Sequence, residues 1–515
     1  MLEKDLIETF KKQLPEFREK LLAFEQGEID RNTFKSCSGK FGSYAQKEGG
    51  YMLRLRLLAG CISKEALHFI VEKTKEYQID LLKLTTCQTI QAHNLSAKTT
   101  LSLLEDALNF GIIPIGGGGD HPRNTMCSPL SGVEKEEYFD VLPYAKTVGN
   151  YLVSRIPDLH LPRKLKVGFS NSPKNTTHAT FRDLGFVARE DGTFSVYCAG
   201  GLGPNPKLGV HILDGANPED VTLYTSAMIR LFTAHGNYKS RAKARTRYLQ
   251  DTLGIDGIRE QFLHFLEEAR KEESAWPIEH APIVTKQGTK PLEDTLLHEK
   301  RIIPQKQQGL YSVSYHPIGG RLSPKKLEEF DAMLQEMEDV EIRLGPDGTM
   351  YFIHLNAQEV SKVIAATNDG ASNLFESSIS CIGTPICQHG IRNSYALLTS
   401  CIERIRKENF ADGVLPKLHI SGCPSSCGTH QAGCLGFAGH SKKVDGKVMP
   451  AFQLFVDGQS MEHAQLGTAK AILLESDIPE FLAALGQRIS QDGSTFAQWY
   501  PTHKEEFDEL VSVYA

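Results

Sequence analysis

Apolar residues recur every three or four positions through residues 1–47, and this period predicts helices. They are Leu6, Phe10, Leu14, Phe17, Leu21 and Phe24. A strand-like run then extends from Tyr51 to Leu58, a helix is expected to begin at Ser63, and a second strand begins at Asp80. The chain therefore starts with a helical lead-in that is followed by a strand–helix–strand unit.

The same strand–helix–strand pattern returns 260 residues later without a gap. Identities at this single offset support an internal duplication, and a generic strand–helix–strand pattern is the alternative explanation. The pairs are Gly49 and Gly309, Tyr51 and Tyr311, Gly60 and Gly320, Ser63 and Ser323, Leu67 and Leu327, Leu84 and Leu344, Thr89 and Thr349, and Leu95 and Leu355. Two true copies are expected to pack as a pseudo-twofold pair, because each half-sheet has an edge to cover.

The segments around the two copies differ in composition. Strand signals at Leu165–Phe169 and Thr193–Tyr197, followed by helical signals from about Pro218, predict an inserted domain. The predicted divisions are a helical lead-in over 1–47, a first half-domain over 48–125, an inserted domain over 126–271, a proline-bearing linker over 272–308, a second half-domain over 309–365 and a cysteine-bearing domain over 366–515. The predicted fold class is α+β, with mixed α/β domains.

Composition narrows the class of protein. The 515 residues are 40% hydrophobic and 23% charged, and no apolar run approaches the roughly 18 residues needed to span a bilayer. The opening residues carry both charge signs and lack the apolar stretch of a secretory signal, so a cytoplasmic protein without a membrane partner is expected. The net charge of −6 provides no bulk positive field for nucleic acid. Any bound anion must therefore be met by local cations.

The glycine-rich and basic runs of the chain do not indicate a nucleotide or nucleic-acid site. Neither Gly116–Gly119 nor Gly200–Gly203 fits G-x-G-x-x-G, and Pro204 follows the second run, which argues against a dinucleotide-binding turn. The alternating basic residues from Lys239 to Arg247 would be scattered around a helix, so we expect a solvated or cofactor-facing segment and no nucleic-acid site. The sequence contains no C-x-x-C-H motif, which excludes a covalent c-type haem.

The strongest chemical signal is two pairs of cysteines, spaced C-x5-C and C-x3-C. They are Cys381 and Cys387, then Cys423 and Cys427. Zinc knuckles generally use C-x2-C, whereas four thiolates are the usual ligands of a [4Fe–4S] cluster. The spacing therefore favours iron–sulfur over zinc and over buried free thiols. Cys401 and Cys434 are expected to be core residues.

The cysteine pattern, in which His419-Ile-Ser leads into Gly422-Cys423-Pro-x-x-Cys427, resembles the cluster motif of the sirohaem-containing sulfite and nitrite reductases. The resemblance covers almost the whole chain. It implies that the two copies are ferredoxin-like half-domains that form one domain, and that the two other α/β domains bind sirohaem and a [4Fe–4S] cluster. It also implies that Cys381, Cys387, Cys423 and Cys427 bind the cluster and that Cys427 joins it to the sirohaem iron.

The resemblance extends to four cations around the substrate. The active-site arginine segments of the family match at Arg54 and Arg123, and its paired-lysine segment matches at Lys164 and Lys166. Alternation along a strand would place the two lysines on one face, opposite Leu165, which predicts a polar cavity on that face. These four cations are the predicted catalytic residues, because sulfite and sirohaem are both polyanionic.

Further positions resemble the cofactor-binding residues of the family. They are Gln91, His93, Asn124, Gly200, Gly201 and Cys427. One position departs from the pattern, because the family has an arginine that binds sirohaem carboxylates where this chain has Cys87. Altered cofactor contacts are expected there, and an ordinary packed cysteine is the alternative.

Together these features predict a reductase that carries an oxyanion through six electrons. Sulfite to sulfide is preferred, because the resemblance associates a lysine at the position of Lys166 with sulfite and an asparagine with nitrite. Nitrite to ammonia is the alternative reaction. A non-enzymatic iron–sulfur electron carrier and a zinc-stabilised binding module are the rivals from other classes. The chain shows no flavin or nicotinamide module, so ferredoxin or a separate flavoprotein is expected to donate the electrons.

Overall fold

The computed structural model describes residues 4–280, 286–288, 290–459 and 463–515. The parts of the predicted lead-in and linker at 1–3, 281–285 and 289 lie outside these ranges. The described lead-in forms the helices α1 (Lys4–Lys11), α2 (Leu14–Glu25) and α3 (Arg31–Ser38). Three members of its predicted apolar stripe, Phe10, Phe17 and Leu21, are fully buried.

Four sets of elements follow the lead-in, and each set contributes five strands. The first contains β1 (Ser43–Ala45), β2 (Tyr51–Arg56), β3 (Cys61–Ile62), α4 (Lys64–Glu76), β4 (Leu81–Leu84), β5 (Thr89–Leu95) and α5 (Ala97–Phe110). The second contains β6 (Met126–Cys127), α6 (Leu142–Ser154), β7 (Val167–Ser170), β8 (Leu184–Ala188), β9 (Phe194–Cys198), β10 (Val210–Ala216), α7 (Val221–His235), α8 (Leu249–Thr252) and α9 (Gly254–Glu272). The third contains β11 (Ile302–Pro304), β12 (Tyr311–Tyr315), β13 (Arg321–Leu322), α10 (Pro324–Gln335), β14 (Glu341–Leu344), β15 (Met350–Leu355) and α11 (Ala357–Ala366). The fourth contains β16 (Ile379–Ser380), α12 (Ser394–Ile405), β17 (Leu418–Ser421), β18 (Leu435–Val444), β19 (Lys447–Val456), β20 (Thr468–Leu474), α13 (Ile478–Asp492), α14 (Phe496–Trp499) and α15 (Lys504–Tyr514).

The first and third sets repeat one succession of elements, as the duplication predicted. Helices α4 and α10 begin after Ser63 and Ser323, and each serine side chain accepts a backbone N–H of the first turn. Equivalent turns precede both helices, with a positive φ at Ala59 and at Gly319. Strand β11 lies in the segment predicted as a linker and pairs with β12, so the second sheet begins before residue 309.

The two half-domains exchange a strand. Their sheets have the orders β1-β2-β5-β4-β13 and β11-β12-β15-β14-β3. Strand β13 of the second copy pairs with β4, and β3 of the first copy pairs with β14, both antiparallel. One hydrophobic core joins both copies and the lead-in. The pseudo-twofold pair is therefore a single domain in which each copy covers the other's sheet edge.

The inserted domain and the C-terminal domain also share a topology. Their sheets have the orders β6-β7-β8-β9-β10 and β16-β17-β18-β19-β20, each with three parallel strands followed by two antiparallel ones. Val167 pairs with Leu184 as Leu418 pairs with Leu435, at an offset of 251 residues. Each domain has its own core. No helix in the described part of the chain is both long and apolar enough to cross a membrane.

The two additional cysteines differ in their environment. Cys401 lies in α12 and is fully buried in the C-terminal core, as predicted. The prediction for Cys434 is wrong, because its side chain is exposed. Cys434 directly precedes β18, and the following residue, Leu435, takes the core position in its place.

Candidate active site

Both cysteine motifs lie at the carboxyl ends of neighbouring parallel strands. β16 ends directly before Cys381, and β17 ends two residues before Cys423. The backbone N–H of Cys381 donates to the carbonyl of Ile420 in β17 at 3.0 Å. Because parallel strands end at the same edge of a sheet, the fold brings the two motifs to one place.

Hydrogen-bond donors surround the cysteine sulfurs. The N–H of Gly422 donates to Cys381 Sγ at 3.1 Å, and the hydroxyl of Ser394 lies 3.2 Å from the same sulfur. Burial raises the pKa of the Cys387 thiol, while N–H groups of the following turn act in the opposite direction. Such N–H···S contacts stabilise thiolates that bind iron.

The four thiols also influence one another. Burial and the neighbouring Cys427 raise the pKa of Cys381 to about 11, and Cys427 and Cys423 act on Cys387 in the same sense. Bound iron supplies the positive charge that such thiols need in order to ionise. Among the described residues, no three His, Cys, Asp or Glu side chains form a site for one metal ion. A [4Fe–4S] cluster instead takes one thiolate at each of four corners, and this donor set fits it.

Two glycines allow the cysteine loops to pack closely. A Cβ on Gly383, where φ is +59°, would lie 2.9 Å from the carbonyl oxygen of Arg392. A Cβ on Gly422 would lie 2.5 Å from the same oxygen. The C-x5-C loop and the turn before Cys423 therefore meet at one backbone carbonyl, with no room for a side chain.

Two other domains contact the C-x3-C loop and its surroundings. In the first half-domain, the hydroxyl of Thr86 donates to the carbonyl of Cys427 at 3.1 Å. In the inserted domain, Gly203 and the side-chain amide of Gln431 exchange two hydrogen bonds, of 3.1 and 3.0 Å. The loop that carries Cys427 therefore lies where three domains meet.

The glycine loop Gly116–Gly119 holds two of the predicted cations. The Arg123 guanidinium donates to carbonyls of this loop at 2.7 and 2.8 Å, and Arg54 donates to the carbonyl of Gly117. Burial lowers the pKa of Arg123 to about 10, and nearby Arg54 contributes to this shift. The loop sequence excludes a dinucleotide-binding turn, but nothing in its spacing predicts that its carbonyls hold two arginines.

Lys164 and Lys166 flank a fully buried leucine in an extended segment. The carbonyl of Leu165 accepts the backbone N–H of Arg123 at 2.8 Å, so the lysine pair lies beside this second cationic position. Burial lowers the pKa of Lys164 well below its usual value, and Arg245 and Lys166 add to the effect. The structure therefore brings the predicted lysines together at a partly enclosed, strongly cationic place.

Cys87 lies among these cations. Burial raises the pKa of its thiol, but Lys166, Arg182 and Arg54 outweigh burial and lower the pKa to about 6. The thiol is also hydrogen-bonded to Lys166. The Cys87 charge raises the pKa of Lys166, which burial and two arginines nevertheless hold below its usual value. The surrounding cations therefore favour the thiolate form of Cys87 near neutral pH.

Strand β5 places Gln91 and His93 on one face. Gln91 is opposite Arg54 on one side and Lys83 on the other in the strand register. His93 Nδ1 lies 3.0 Å from Gln46 Oε1, and His93 Nε2 has no partner among the described residues. Burial lowers the pKa of His93 to about 3, so its ring is neutral at physiological pH.

Asn124 connects the segment that carries Arg123 to the Cys87 turn. Its amide nitrogen donates to the carbonyls of Cys87 and Gln88, both at 3.1 Å. Its Oδ1 is buried and has no partner within the described ranges. Unpartnered buried polar atoms of this kind are what a cofactor with polar substituents would satisfy.

Gly200 and Gly201 bring the backbone of the inserted domain close to arginines. A Cβ on Gly200 would lie 2.8 Å from the carbonyl oxygen of Arg182, so only glycine fits. A Cβ on Gly201 would lie 3.4 Å from the guanidinium of Arg245. Both predicted cofactor-binding glycines are therefore positions of close approach.

The basic segment from Lys239 to Arg247 packs against this region through a buried carboxylate. Asp183 is fully buried and accepts two hydrogen bonds of 3.0 Å from Arg245. It also accepts the backbone N–H of Lys166 at 2.8 Å and the hydroxyl of Thr246. Asp183 thus positions both a predicted lysine and the basic segment, and sequence reasoning missed it because a single aspartate before a strand carries no distinguishing spacing.

A second internal repeat also went unnoticed in the sequence. The identities at an offset of 251 are Ser170 and Ser421, Pro173 and Pro424, Leu184 and Leu435, Gly185 and Gly436, and Phe186 and Phe437. Positive φ values recur at Asn175 and His178 and at Ser426 and Thr429. At the positions of Cys423 and Cys427, the inserted domain has Ser172 and Thr176. Only the C-terminal copy therefore carries thiols at these two positions.

Comparisons with known proteins match this architecture. The family model for the nitrite and sulphite reductase 4Fe-4S domain matches residues 118–269. The model for the nitrite/sulfite reductase ferredoxin-like half domain matches twice, at 44–109 and 303–369, which confirms the duplication. Together these matches cover more than half of the chain.

Relatives of both reductase types resemble the chain over most of its length. The ferredoxin–nitrite reductase of Synechococcus elongatus is 25% identical over 458 residues, which cover 85% of this chain and 86% of the relative. Sulfite reductase (ferredoxin) 1 of Mycolicibacterium paratuberculosis is 21% identical over 515 residues, which cover 93% and 90%. The structure of the Mycobacterium tuberculosis NirA protein has a TM-score of 0.76 at 20% identity and covers 96% of both chains.

The fold and the site define an oxidoreductase with an iron–sulfur centre. The chain belongs to the nitrite and sulfite reductase family. Sirohaem and a [4Fe–4S] cluster are its cofactors. The residues present fit both groups, because four cysteines, two of them with N–H···S contacts, meet at one edge of a sheet and unpartnered polar atoms such as Asn124 Oδ1 lie beside the predicted cations.

Acid is expected to destabilise the protein through buried neutral histidines of the second half-domain and the C-terminal domain. Burial lowers the pKa of His316, His354 and His419 to about 4 in the folded chain, against about 6.5 when unfolded. The unfolded chain therefore binds more protons between these values. The free energy of unfolding is fully retained above pH 6.5 and falls as pH decreases towards 4, by about 1.4 kcal/mol per pH unit for each histidine.

Urea unfolding at pH 7, 6 and 5 tests how steeply stability depends on pH, with the unfolding midpoint as the measured quantity. His316→Gln should make the dependence shallower, since glutamine keeps a hydrogen-bonding group near Thr349 Oγ1, which lies 2.9 Å from His316 Nδ1. Exposed His264 offers the control, and His264→Gln should leave the slope unchanged. A midpoint that does not move between pH 7 and 5 contradicts the expectation.

Proposed function

We propose that the protein reduces sulfite to sulfide by six electrons. The observation that carries the proposal is the Lys164–Lys166 pair, which lies beside Arg123 and is partly enclosed. Two ammonium groups suit a dianion better than a monoanion, and sulfite is largely a dianion near neutral pH. The sulfite reductase among the relatives agrees with this substrate class.

The chain's own residues would bind and protonate the anion. Arg54 and Arg123 are fixed by the glycine loop, so their charges would act on a bound anion without reorganising. Lys164 and Lys166 have lowered pKa values, so their ammonium groups release protons more readily than free lysine as oxygen leaves as water. When bound, the cluster and sirohaem would pass on the electrons of an external donor and supply redox-active iron at the substrate site.

A reduced ferredoxin is the proposed electron donor. Both kinds of relative described above carry ferredoxin in their names. His389, two residues beyond Cys387, contacts the lead-in, because its Nε2 lies 2.6 Å from Lys35 Nζ. An external flavoprotein is the alternative donor, and direct comparison of turnover with the two donors separates them.

The proposal is tested by comparing the two anions directly. Purified, cofactor-replete protein oxidises reduced methyl viologen with sulfite or with nitrite, and kcat/KM is measured for each. We expect kcat/KM for sulfite to exceed that for nitrite by about tenfold or more. A preference for nitrite overturns the proposed substrate and leaves the family assignment intact.

Nitrite to ammonia is the second candidate, and a specific observation favours it. The Cys87 thiol is ionised and hydrogen-bonded to Lys166, so it offsets one of the two ammonium charges. A site with less positive charge suits a monoanion better. The nitrite reductases among the relatives agree with this alternative.

A further inference from the structure

Arg182 is a buried arginine that the mechanism above does not use. It is 5% exposed and lies in the β7–β8 loop, two residues before β8 begins. Its Nε donates to the carbonyl of Thr177 at 2.8 Å, and its Nη2 is buried without a partner among the described residues. Gly168 leaves room for its stem, because a Cβ there would lie 3.4 Å from Arg182 Cγ.

A buried guanidinium nitrogen without an acceptor is costly, and an anion satisfies both its hydrogen bond and the charge of the group. The adjacent carboxylate, Asp183, is already engaged by Arg245, Thr246 and the backbone N–H of Lys166. The other charged groups that act on Arg182 are the Cys87 thiol and Arg245. The protein itself therefore provides little to satisfy Nη2, and the missing acceptor belongs to a bound molecule.

The backbone of Arg182 connects this guanidinium to the glycine that approaches the cofactor. The N–H of Gly200 donates to the Arg182 carbonyl at 2.9 Å. Arg182 also lies within electrostatic reach of Lys166, whose pKa it lowers. Arg182 thus contacts a predicted cofactor-binding glycine through its backbone carbonyl, and its charge acts on a predicted substrate-binding lysine.

We propose that Arg182 binds a carboxylate of sirohaem through Nη2. A carboxylate is the acceptor that a buried guanidinium prefers, and sirohaem is the family's carboxylate-rich cofactor. Cys87 replaces the arginine that binds a sirohaem carboxylate in the family, and a thiolate repels a carboxylate. Arg182, which lies near Cys87, therefore takes over the binding of that carboxylate. This inference depends on the cofactor and not on which oxyanion is reduced.

The test measures release of sirohaem from the holoenzyme. Arg182→Gln should increase the rate at which sirohaem is lost at a fixed temperature by about 10- to 100-fold, the range for one charge-assisted hydrogen bond. The ratio of sirohaem to protein is followed by absorbance, and iron and sulfide of the [4Fe–4S] cluster are assayed in parallel. Cluster content should remain as in the wild type, since Arg182 touches none of the cluster cysteines.

A second variant tests whether the lost charge is the cause. Cys87→Arg introduced together with Arg182→Gln returns a guanidinium to the same region and should restore sirohaem retention towards the wild-type rate. Arg189→Gln is the matched control, because Arg189 lies just beyond the same strand, is 37% exposed in its side chain and pairs with Asp191 and Asp214. It should release sirohaem at the wild-type rate.

If Arg182→Gln releases sirohaem no faster than Arg189→Gln, Arg182 does not bind the cofactor. Should the glutamine variant fail to fold, Arg182→Lys decides alone, because lysine is shorter and should release sirohaem several-fold faster than the wild type, whereas an unchanged rate overturns the proposal. A wild-type preference for nitrite would overturn the proposed substrate without affecting these release rates.

Discussion

Serine in place of Cys423 is expected to remove the iron–sulfur cluster. Cys423 is 8% exposed, and its charge acts on Cys387 across the two motifs. A serine hydroxyl is a hard ligand that ionises far less readily than a thiol, so it cannot replace the soft thiolate that iron–sulfur clusters need. Acid-labile sulfide should fall to near zero, and turnover should fall below about 0.1% of the wild type because electron transfer requires the cluster.

Cys434→Ser is the matched control for this substitution. Cys434 lies in the same domain and is exposed, and it is outside both cysteine motifs. This variant should keep full iron and sulfide content and near wild-type turnover. A Cys423→Ser protein that retains the wild-type sulfide content would show that this thiolate is not a cluster ligand.

Lys166→Asn is expected to depress sulfite turnover far more than nitrite turnover. Lys166 is partly enclosed and lies beside Lys164, which suits a dianion. Removing one preorganised charge typically costs about 100-fold or more, so kcat/KM for sulfite should fall by about this factor. For nitrite the fall should be several-fold at most, because a monoanion needs less positive charge. Steady-state kinetics with both anions and reduced methyl viologen measure the two effects.

Lys174→Asn provides the control for a lost lysine charge. Lys174 belongs to the same domain, its side chain is 46% exposed and it pairs with Glu134 at 2.6 Å. Its replacement should change neither substrate preference nor turnover. An equal loss for sulfite and nitrite in Lys166→Asn would show that Lys166 binds anions without selecting between them.

Local spacing explains what could be predicted from the sequence. The cysteine motifs and the first duplication depend on residues that are close in sequence or that repeat at one offset, whereas the four cations were predicted from the family resemblance of their segments. The cap at Ser63 is equally local and is found at the expected residue. Cysteine pairs and a capping serine can be recognised in the sequence because iron binding and helix capping each require that residue type at that position.

Other features depend on contacts between distant segments. The exchange of β3 and β13 requires two sheet edges that meet only in the folded domain. The glycine loop holds Arg54 and Arg123 through backbone carbonyls, which no side-chain pattern announces. The unpartnered Nη2 of Arg182 likewise becomes visible only when all neighbouring acceptors have been located.

The exchanged strands also constrain how the chain is made. Strand β4 is complete by residue 84, yet its partner β13 lies at Arg321–Leu322. At a synthesis rate of about 5–20 residues per second, β4 waits roughly 10–50 s for this partner. During that interval the first sheet has an open edge, while the inserted domain is being synthesised. Sirohaem, whose predicted ligands Gln91 and His93 belong to that unfinished sheet, therefore meets a completed sheet only after about three fifths of the chain has been synthesised.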